Sequence, residues 1–471
     1  MADRGMFRVD ARPPYQREAF SFLRGIRQVL PFGPKLKATD FGQAITSLDQ
    51  ASELRAFAMY SGEFCFGGET NVASTPALFS IQLGSKAWQE SLFNLEWLAD
   101  FSSSKRQLHA HYALRLLGRW TKSKRVRNNH YSMSHALIAL CTHGFKLARI
   151  ADASSQAAFL RIVSNSVARI SALKSHNTEE AFLQSVSILY ACTAFQGFEP
   201  LRKSACDTLN STLNQLILPD GGPVSCKPQD LIDLMSFLLP LQAAMKLNRQ
   251  IFPKLAADCL HKMFSILAML PAVDGTLSER IVALLAFDLE AQPLTLAAQT
   301  GFARLVGGKT ILFADTKSNF QFELAVAGQR FFKSHCESPT ATTQAQLHEA
   351  AHGVALQVEA NALRERIYFL SADGTDFRVE DGFDSAITLC FNLAPHVKIT
   401  ATREGGILLI APDQTVWNLT LRGGKAQIGP TGTAFKVISS ANGKMNWAFK
   451  KQAKIAKSTL RKKTPEPDLL A

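Results

Sequence analysis

Near Gln292 and Pro293 the spacing of apolar residues changes once, from a helical period to a strand period, and this change restricts the available folds. Upstream, Phe159, Ile162, Val163, Val167 and Ile170 form one stripe behind a Ser154-Ser155 start signal. Leu231, Leu234, Leu238 and Leu241 form another. Downstream, Phe320, Phe322, Leu324 and Val326 alternate with Gln321, Glu323 and Ala325. A helix buries a stripe and a strand buries one face, so the two halves need separate cores. At 471 residues the chain is also longer than a single growing core supports.

The expected organisation is an α+β multidomain chain. An irregular segment with a hairpin occupies 1–87, helices 88–291, an antiparallel β-sandwich 292–449 and a basic tail 450–471. Polar joints at Ser102-Ser103-Ser104, Asp152-Ala153-Ser154 and Lys174-Ser175-His176 separate helices of ordinary length. No fixed-period repeat is visible, and paired helices closing into an (α/α) barrel or toroid need none. In the second half, Asp373-Gly374, Gly405-Gly406 and Gly423-Gly424 supply the positive φ that tight hairpins require.

The formal net charge is +13. It concentrates in the first thirty-odd residues, in Arg119 to Arg127, and in the tail from Lys450 to Lys463. Such a field favours polyanions, and the same charge also serves a solvated basic surface. Aromatics are not interleaved with the tail, so nucleic acid is not expected as a partner. No apolar run reaches membrane-span length, and no apolar segment follows the charged N-terminus. That combination favours the cytoplasm or an unconventional route to the envelope. The eight cysteines are irregularly spaced and sit among apolar neighbours, as reduced, buried thiols do.

Leu216-Ile217-Leu218-Pro219-Asp220-Gly221-Gly222 interrupts the helices with a turn that permits close backbone approach. Met59 to Gly68 carries Tyr60, Gly62, Phe64, Phe66, Gly67 and Gly68 in one run. Glu349, His352, Gly353, Arg364, Arg366, Leu370, Ser371, Asp373, Gly374, Glu380 and Asp381 form a later series. In this order the three elements resemble the heparinase II/III-like polysaccharide lyases over most of the chain. The resemblance implies an (α/α) toroid followed by a β-sandwich, a cell-envelope or periplasmic setting, and an acidic polysaccharide partner. It implies β-elimination at a uronic acid, with no cofactor and no metal.

That chemistry needs a group to neutralise the C5 carboxylate, a base for the α-proton and an acid for the departing O4. Asn128-Asn129-His130-Tyr131 supplies these residue types directly after Lys122, Lys124, Arg125 and Arg127. By the resemblance, Asn129 and His130 would face the carboxylate, and Tyr131 or Tyr190 would act as base. Lys122, Lys124, Arg125, Arg127, Asp220, Gly221 and Gly222 would line the substrate. The same run also reads as a polar helix start, capped by Asn128 and opened by Tyr131. The family's tyrosine after the Asp-Gly turn is replaced by Asp230, and no histidine precedes Phe322-Glu323-Leu324. A catalytically inactive glycan-binding module of the same fold therefore stays open beside the lyase. His348-Glu349-Ala350-Ala351-His352 fits the HExxH spacing of zinc hydrolases, which requires both histidines on one helix. The alternation that follows Gly353 is strand-like instead.

Overall fold

A computed structural model describes residues 36–452, apart from 74–77, 80–82, 124–128, 272–274, 289, 318–320, 337–341, 361–362, 385, 403–405, 412 and 440–442. The described residues divide into two compact units. One lies within 1–264 and 283–290, the other within 265–282 and 291–471.

The first unit is helical. Its helices are α1 (Glu53–Tyr60), α2 (Lys86–Phe93), α3 (Trp97–Ser103), α4 (Gln107–Trp120), α5 (His130–Ala139), α6 (Phe145–Arg149), α7 (Ala153–Ala172), α8 (Thr178–Ala194), α9 (Glu199–Leu216), α10 (Pro228–Leu247) and α11 (Lys254–Leu267). A twelfth helix, α12 (Gly275–Leu285), follows, and the division into units cuts across both α11, after Phe264, and α12, after Val282. Short polar caps set these boundaries. Asp152 rather than Ser154 starts α7, accepting from the Ser155 amide at 2.9 Å, because a carboxylate at the N-cap satisfies an otherwise orphaned donor. Phe159, Val163, Val167 and Ile170 then face inward, as do Leu231, Leu234, Leu238 and Leu241 of α10. Between α5 and α6 the helix widens into a π turn, Leu140–Gly144.

The segment expected to be irregular contains α1 as well as the hairpin β1 (Glu63–Phe66) and β2 (Glu69–Val72). Phe64 and Phe66 are buried, and the Trp88 indole N–H donates to the Phe64 carbonyl at 3.0 Å. The aromatic-glycine run near Tyr60 is thus a packing element.

The second unit is an antiparallel β-sandwich. One sheet runs in hydrogen-bonded order β13 (Lys398–Ala401), β14 (Ile407–Ile410), β15 (Val416–Arg422), β18 (Gly443–Lys451), β11 (Asp376–Phe383), β10 (Leu363–Ser371), β9 (Gly353–Ala360), β8 (Thr342–Ala350). The other runs β16 (Gly424–Ile428), β17 (Ala434–Ser439), β12 (Thr388–Leu393), β7 (Gln329–Cys336), β6 (Gln321–Val326), β5 (Thr310–Asp315), β4 (Phe302–Gly307), β3 (Leu296–Ala297). Phe322 joins the sheets, its ring 5.6 Å from Tyr368 and 5.7 Å from Trp447.

Two sequence expectations change here. The alternation in β6 stops at a bulge between Leu324 and Ala325, which buries Ala325 and leaves Val326 only partly covered; Phe320 lies outside the described residues. Gly423-Gly424 is not a hairpin turn but the point where the chain leaves one sheet for the other. Gly423 has φ +80°, and a side chain there would strike the Lys444 carbonyl.

The later motif series is explained by the sandwich itself. Arg366 and Asp381 pair across β10 and β11, both fully buried, and the Trp447 indole donates to the second carboxylate oxygen at 3.0 Å. Ser371 and Thr375 hydroxyls donate to Asp373, closing the turn, while Gly374 (φ +70°) lies against the Gly307 carbonyl. His348 and Glu349 sit on β8 and His352 in the following turn, so the HExxH run spans a hairpin rather than a helix. His348 Nε2 lies 2.9 Å from Gln357 Oε1. Two histidines so placed cannot form the one-turn pair that the zinc hydrolase reading needs.

Candidate active site

Asn129 is the N-cap of α5, its Oδ1 accepting from the Ser132 amide at 3.2 Å. The cap is thus one residue later than the sequence reading of Asn128, and His130 opens the helix. Asn129 stays exposed at the surface. His130 turns inward and is 7% exposed, with neither ring nitrogen in a well-formed hydrogen bond among the described residues. Burial pushes its pKa down; Glu180 and the Leu173 carbonyl oppose this, and His176 adds to it.

Tyr131, next along the helix, faces a different neighbourhood. Its ring lies 4.2 Å from that of His135, one turn later, at 44°. His135 in turn meets Phe237 of α10 edge-on at 5.3 Å. Tyr190 of α8 reaches the same place, its hydroxyl donating to the Phe237 carbonyl at 2.8 Å. The structure therefore brings Tyr131 and Tyr190 to one cluster through His135 and Phe237, and leaves His130 against the start of α8.

The electrostatics separate the two tyrosines. Burial, with Asp49 and Cys141 adding, pushes the Tyr190 phenol well above its ordinary value. With its hydroxyl donating to the Phe237 carbonyl, Tyr190, one of the two candidate bases of the sequence reading, is held in the cluster as a donor. Burial pushes His135 down to about 4, against the pull of Asp49, so the ring is neutral near pH 7. Its Nε2 has no partner among the described residues.

Asp49, His143 and Ser102 were not legible as site residues. His143 lies in the π turn, with its Nε2 2.9 Å from Asp49 Oδ2 and its Nδ1 2.9 Å from Ser102 Oγ. Ser47 also donates to Asp49 at 2.6 Å. Asp49 and His143 are 94 residues apart, so no local spacing announces them. The Tyr131/His135 pair, by contrast, has the helical i,i+4 spacing and was available from the sequence.

Lys122 is exposed in the turn after α4, whereas Lys124, Arg125 and Arg127 lie outside the described residues. In the Asp220-Gly221-Gly222 loop, Asp220 Oδ1 accepts from the Gly222 amide at 3.2 Å. Gly221 has φ +95°, and a Cβ there would lie 2.6 Å from the Lys262 backbone of α11. This close approach accounts for the loop's glycine by packing. Asp230, where the resemblance expects a tyrosine, is 1% exposed, and burial raises its pKa, with Asp233 adding and Ser225 and Lys227 opposing. Near it Glu179 is pushed up to about 7 by burial, then by Asp230 and Glu180.

No family model and no curated sequence matches the chain. Solved structures do. A heparinase III is similar at 11% identity and TM-score 0.63, covering 91% of this chain and 88% of that one. A second heparinase III, the BT4657 gene product, is 14% identical with TM-score 0.62 over 91% and 88%. A mutant of the heparan sulfate lyase HepC from Pedobacter heparinus is 11% identical with TM-score 0.56 over 86% and 84%. At such identities the likeness speaks for architecture, and the architecture of this chain, helical toroid followed by antiparallel sandwich, is that of the heparinase-like polysaccharide lyases.

Proposed function

We propose that the chain is a lyase that cleaves a uronic-acid-containing polysaccharide by β-elimination. The observation that supports this most directly is the Tyr131–His135 ring pair within a helical unit of heparinase III architecture. A neutral imidazole with an unpartnered Nε2 accepts a proton, and a phenol donates one. His135 takes the C5 proton, the C5–H electron pair becomes the C4=C5 double bond, and the C4–O4 bond breaks toward oxygen. Tyr131 protonates O4 and then recovers a proton from the His135 imidazolium. The amide nitrogen of Asn129, not used by the cap, serves the C5 carboxylate with His130 behind it. The basic residues from Lys122 to Arg127 draw in the polyanion. The envelope is the setting this substrate favours; no helix among the described residues is long and apolar enough to cross a membrane.

The 4,5-unsaturated uronate absorbs in the ultraviolet, so turnover is read directly on heparan-, chondroitin- and alginate-type chains. Product from at least one of them is expected. The buried carboxyl of Asp230 at the family's tyrosine position favours a second reading, a glycan-binding module without turnover. Polyuronate binding with no unsaturated product on any of the three would establish that reading instead.

A further inference from the structure

The positive charge is distributed unevenly along the chain. Between Asp100 and Asp152 there are ten Lys or Arg, five His and no carboxylate. This stretch contains α4, the basic run after it, α5, the π turn and α6. A face charged only for solubility mixes both signs, so a stretch of one sign needs another account.

Helix α4 gathers part of that charge into a ridge. Ala110, Ala113, Leu116, Leu117 and Trp120 face inward. At about 100° per residue, His111, Arg115, Gly118, Arg119 and Lys122 fall on the other side, within an arc of about 100°. His111, Arg115 and Lys122 are exposed, and Arg119 is half-buried. Asp152 closes one end, its Oδ2 3.9 Å from His111 Nδ1. The Arg115 guanidinium lies over the Tyr112 ring, 5.6 Å from its centre. Among the described residues no hydrogen bond or ion pair holds the side chain of Arg115, Arg119 or Lys122, and Arg119 Nη1 is buried without a partner.

Cations at the end of a helix ordinarily bond its last carbonyls. Here those carbonyls are already taken. The Thr121 amide donates to Leu117 at 3.1 Å, the Lys122 amide to Arg119 at 3.0 Å and the Ser123 amide to Trp120 at 3.0 Å. The Thr121 hydroxyl donates to the Gly118 carbonyl at 2.9 Å. Gly118 is a second, independent observation. It lies inside α4, where glycine weakens a helix relative to alanine. A Cβ there would meet no heavy atom within 4 Å, and the backbone is not left-handed, so neither packing nor conformation requires the glycine. What it provides is bare helix backbone beside Arg115, Arg119 and Lys122, where an oxyanion can come close.

We propose that Arg115, Gly118, Arg119 and Lys122 form a seat for a polysaccharide that carries a carboxylate or sulfate on successive sugars. The three cations are spaced about 6 Å and about 4.5 Å along the helix axis, so a chain lying along α4 meets them in turn. Each guanidinium fork takes two oxygens of one anionic group. Tyr112 is buried beneath Arg115 and offers no open face for base stacking, which favours a glycan over single-stranded nucleic acid. The choice of a glycan rests on the lyase reading above, whereas the seat is tested without turnover.

The test is equilibrium binding of the full-length protein to a sulfate-free polyuronate and to a sulfated heparan-type oligosaccharide across a salt series. Arg115→Gln with Arg119→Gln should weaken binding of at least one of them by about tenfold or more and flatten its salt dependence. Arg422→Gln with Lys425→Gln removes the same charge from exposed positions on the sandwich and should change affinity by less than about twofold. Gly118→Ala should raise the melting temperature by about 1–3 °C and yet weaken binding several-fold. That pairing is not expected of a glycine with a structural role alone, and it keeps the proposal falsifiable if the double arginine variant folds poorly. Binding that ignores the α4 changes, or that falls equally with the sandwich changes, overturns the proposal. So does a DNA duplex bound more tightly than either glycan at equal salt. A glycan held through α4 but never cleaved supports the seat and counts against the lyase reading alone.

Discussion

The Arg366 guanidinium donates to the Asp381 carboxylate inside the sandwich, with no solvent on either side chain. Removing one member strands the other's charge in an apolar core. Arg366→Met alone should therefore cost about 3–5 kcal/mol in urea unfolding followed by tryptophan fluorescence. Replacing both members with apolar residues should recover much of that loss. Arg378→Ala, which breaks the surface pair with Asp376, should stay within about 1 kcal/mol.

Gly221→Ala tests whether the Asp-Gly-Gly loop packs or binds. The positive φ and the nearby Lys262 backbone should together cost about 2 kcal/mol or more, seen as a lower denaturation midpoint. Asp220→Asn keeps an acceptor for the Gly222 amide and should cost under about 1 kcal/mol. A stable Gly221→Ala protein that no longer binds polyuronate would instead assign the loop to substrate.

Two groups make stability depend on pH in opposite directions. His135 is held down to about 4, so the unfolded chain binds more protons between its ordinary histidine value and 4. Its contribution is present above the unfolded value and is lost as pH falls from about 6.5 to about 4, on the order of 2–3 kcal/mol. Glu179 is pushed up to about 7, so its contribution is present below the ordinary carboxylate value and is lost as pH rises toward 7. Melting curves from pH 4 to 8 should show a flattened acid limb for His135→Gln. Glu179→Gln should remove the decline toward neutrality.

Asn129 has a cap role and a proposed substrate role, and substitution separates them. Asn129→Ala should cost about 1 kcal/mol of stability and reduce lyase rate about 100-fold or more. Asn129→Asp keeps the cap, so a stable protein with equally low rate would isolate the amide's contribution. His130→Ala, Tyr131→Phe and His135→Ala should each lower the rate by about two orders of magnitude. Tyr190→Phe should act mainly on stability, because its hydroxyl is spent on the Phe237 carbonyl.

Replacing Lys124, Arg125 and Arg127 by Ala should weaken retention on an immobilised polyuronate and flatten its salt dependence. Unchanged retention would move the polyanion site to the basic tail. Chelator should leave the lyase rate unaltered.

The architecture was legible because apolar spacing reports which face of an element is buried, and Phe159 to Ile170 and Phe322 to Leu324 kept that spacing. Individual turns were less legible. Gly423-Gly424 has hairpin composition, but whether a chain turns back or crosses depends on the sheet each strand joins. The side-chain cluster around His135 was legible only where it is local. Tyr131 was read from its run, and His135 lies one helical turn beyond it. Asp49, Ser102 and His143 converge from distant segments and left no pattern. Arg366, Asp381 and Gly374 carried the resemblance because they hold the sandwich together, so that resemblance recorded architecture more than chemistry.

The π turn at Leu140–Gly144 acts as a phase shift between two histidines. In a regular helix, residues eight apart such as His135 and His143 are offset by about 80° around the axis. A π turn absorbs one extra residue and reduces that offset to about 20°. Both rings then lie on one stripe of a continuous helix, with His143 against Asp49. Deleting a single residue between Leu140 and Gly144 would restore an ideal α-helix and leave the offset at about 20°, whereas keeping every residue in a regular α-helix would rotate His143 away from its carboxylate. The alignment is encoded by the number of residues between the two histidines as much as by the histidines themselves.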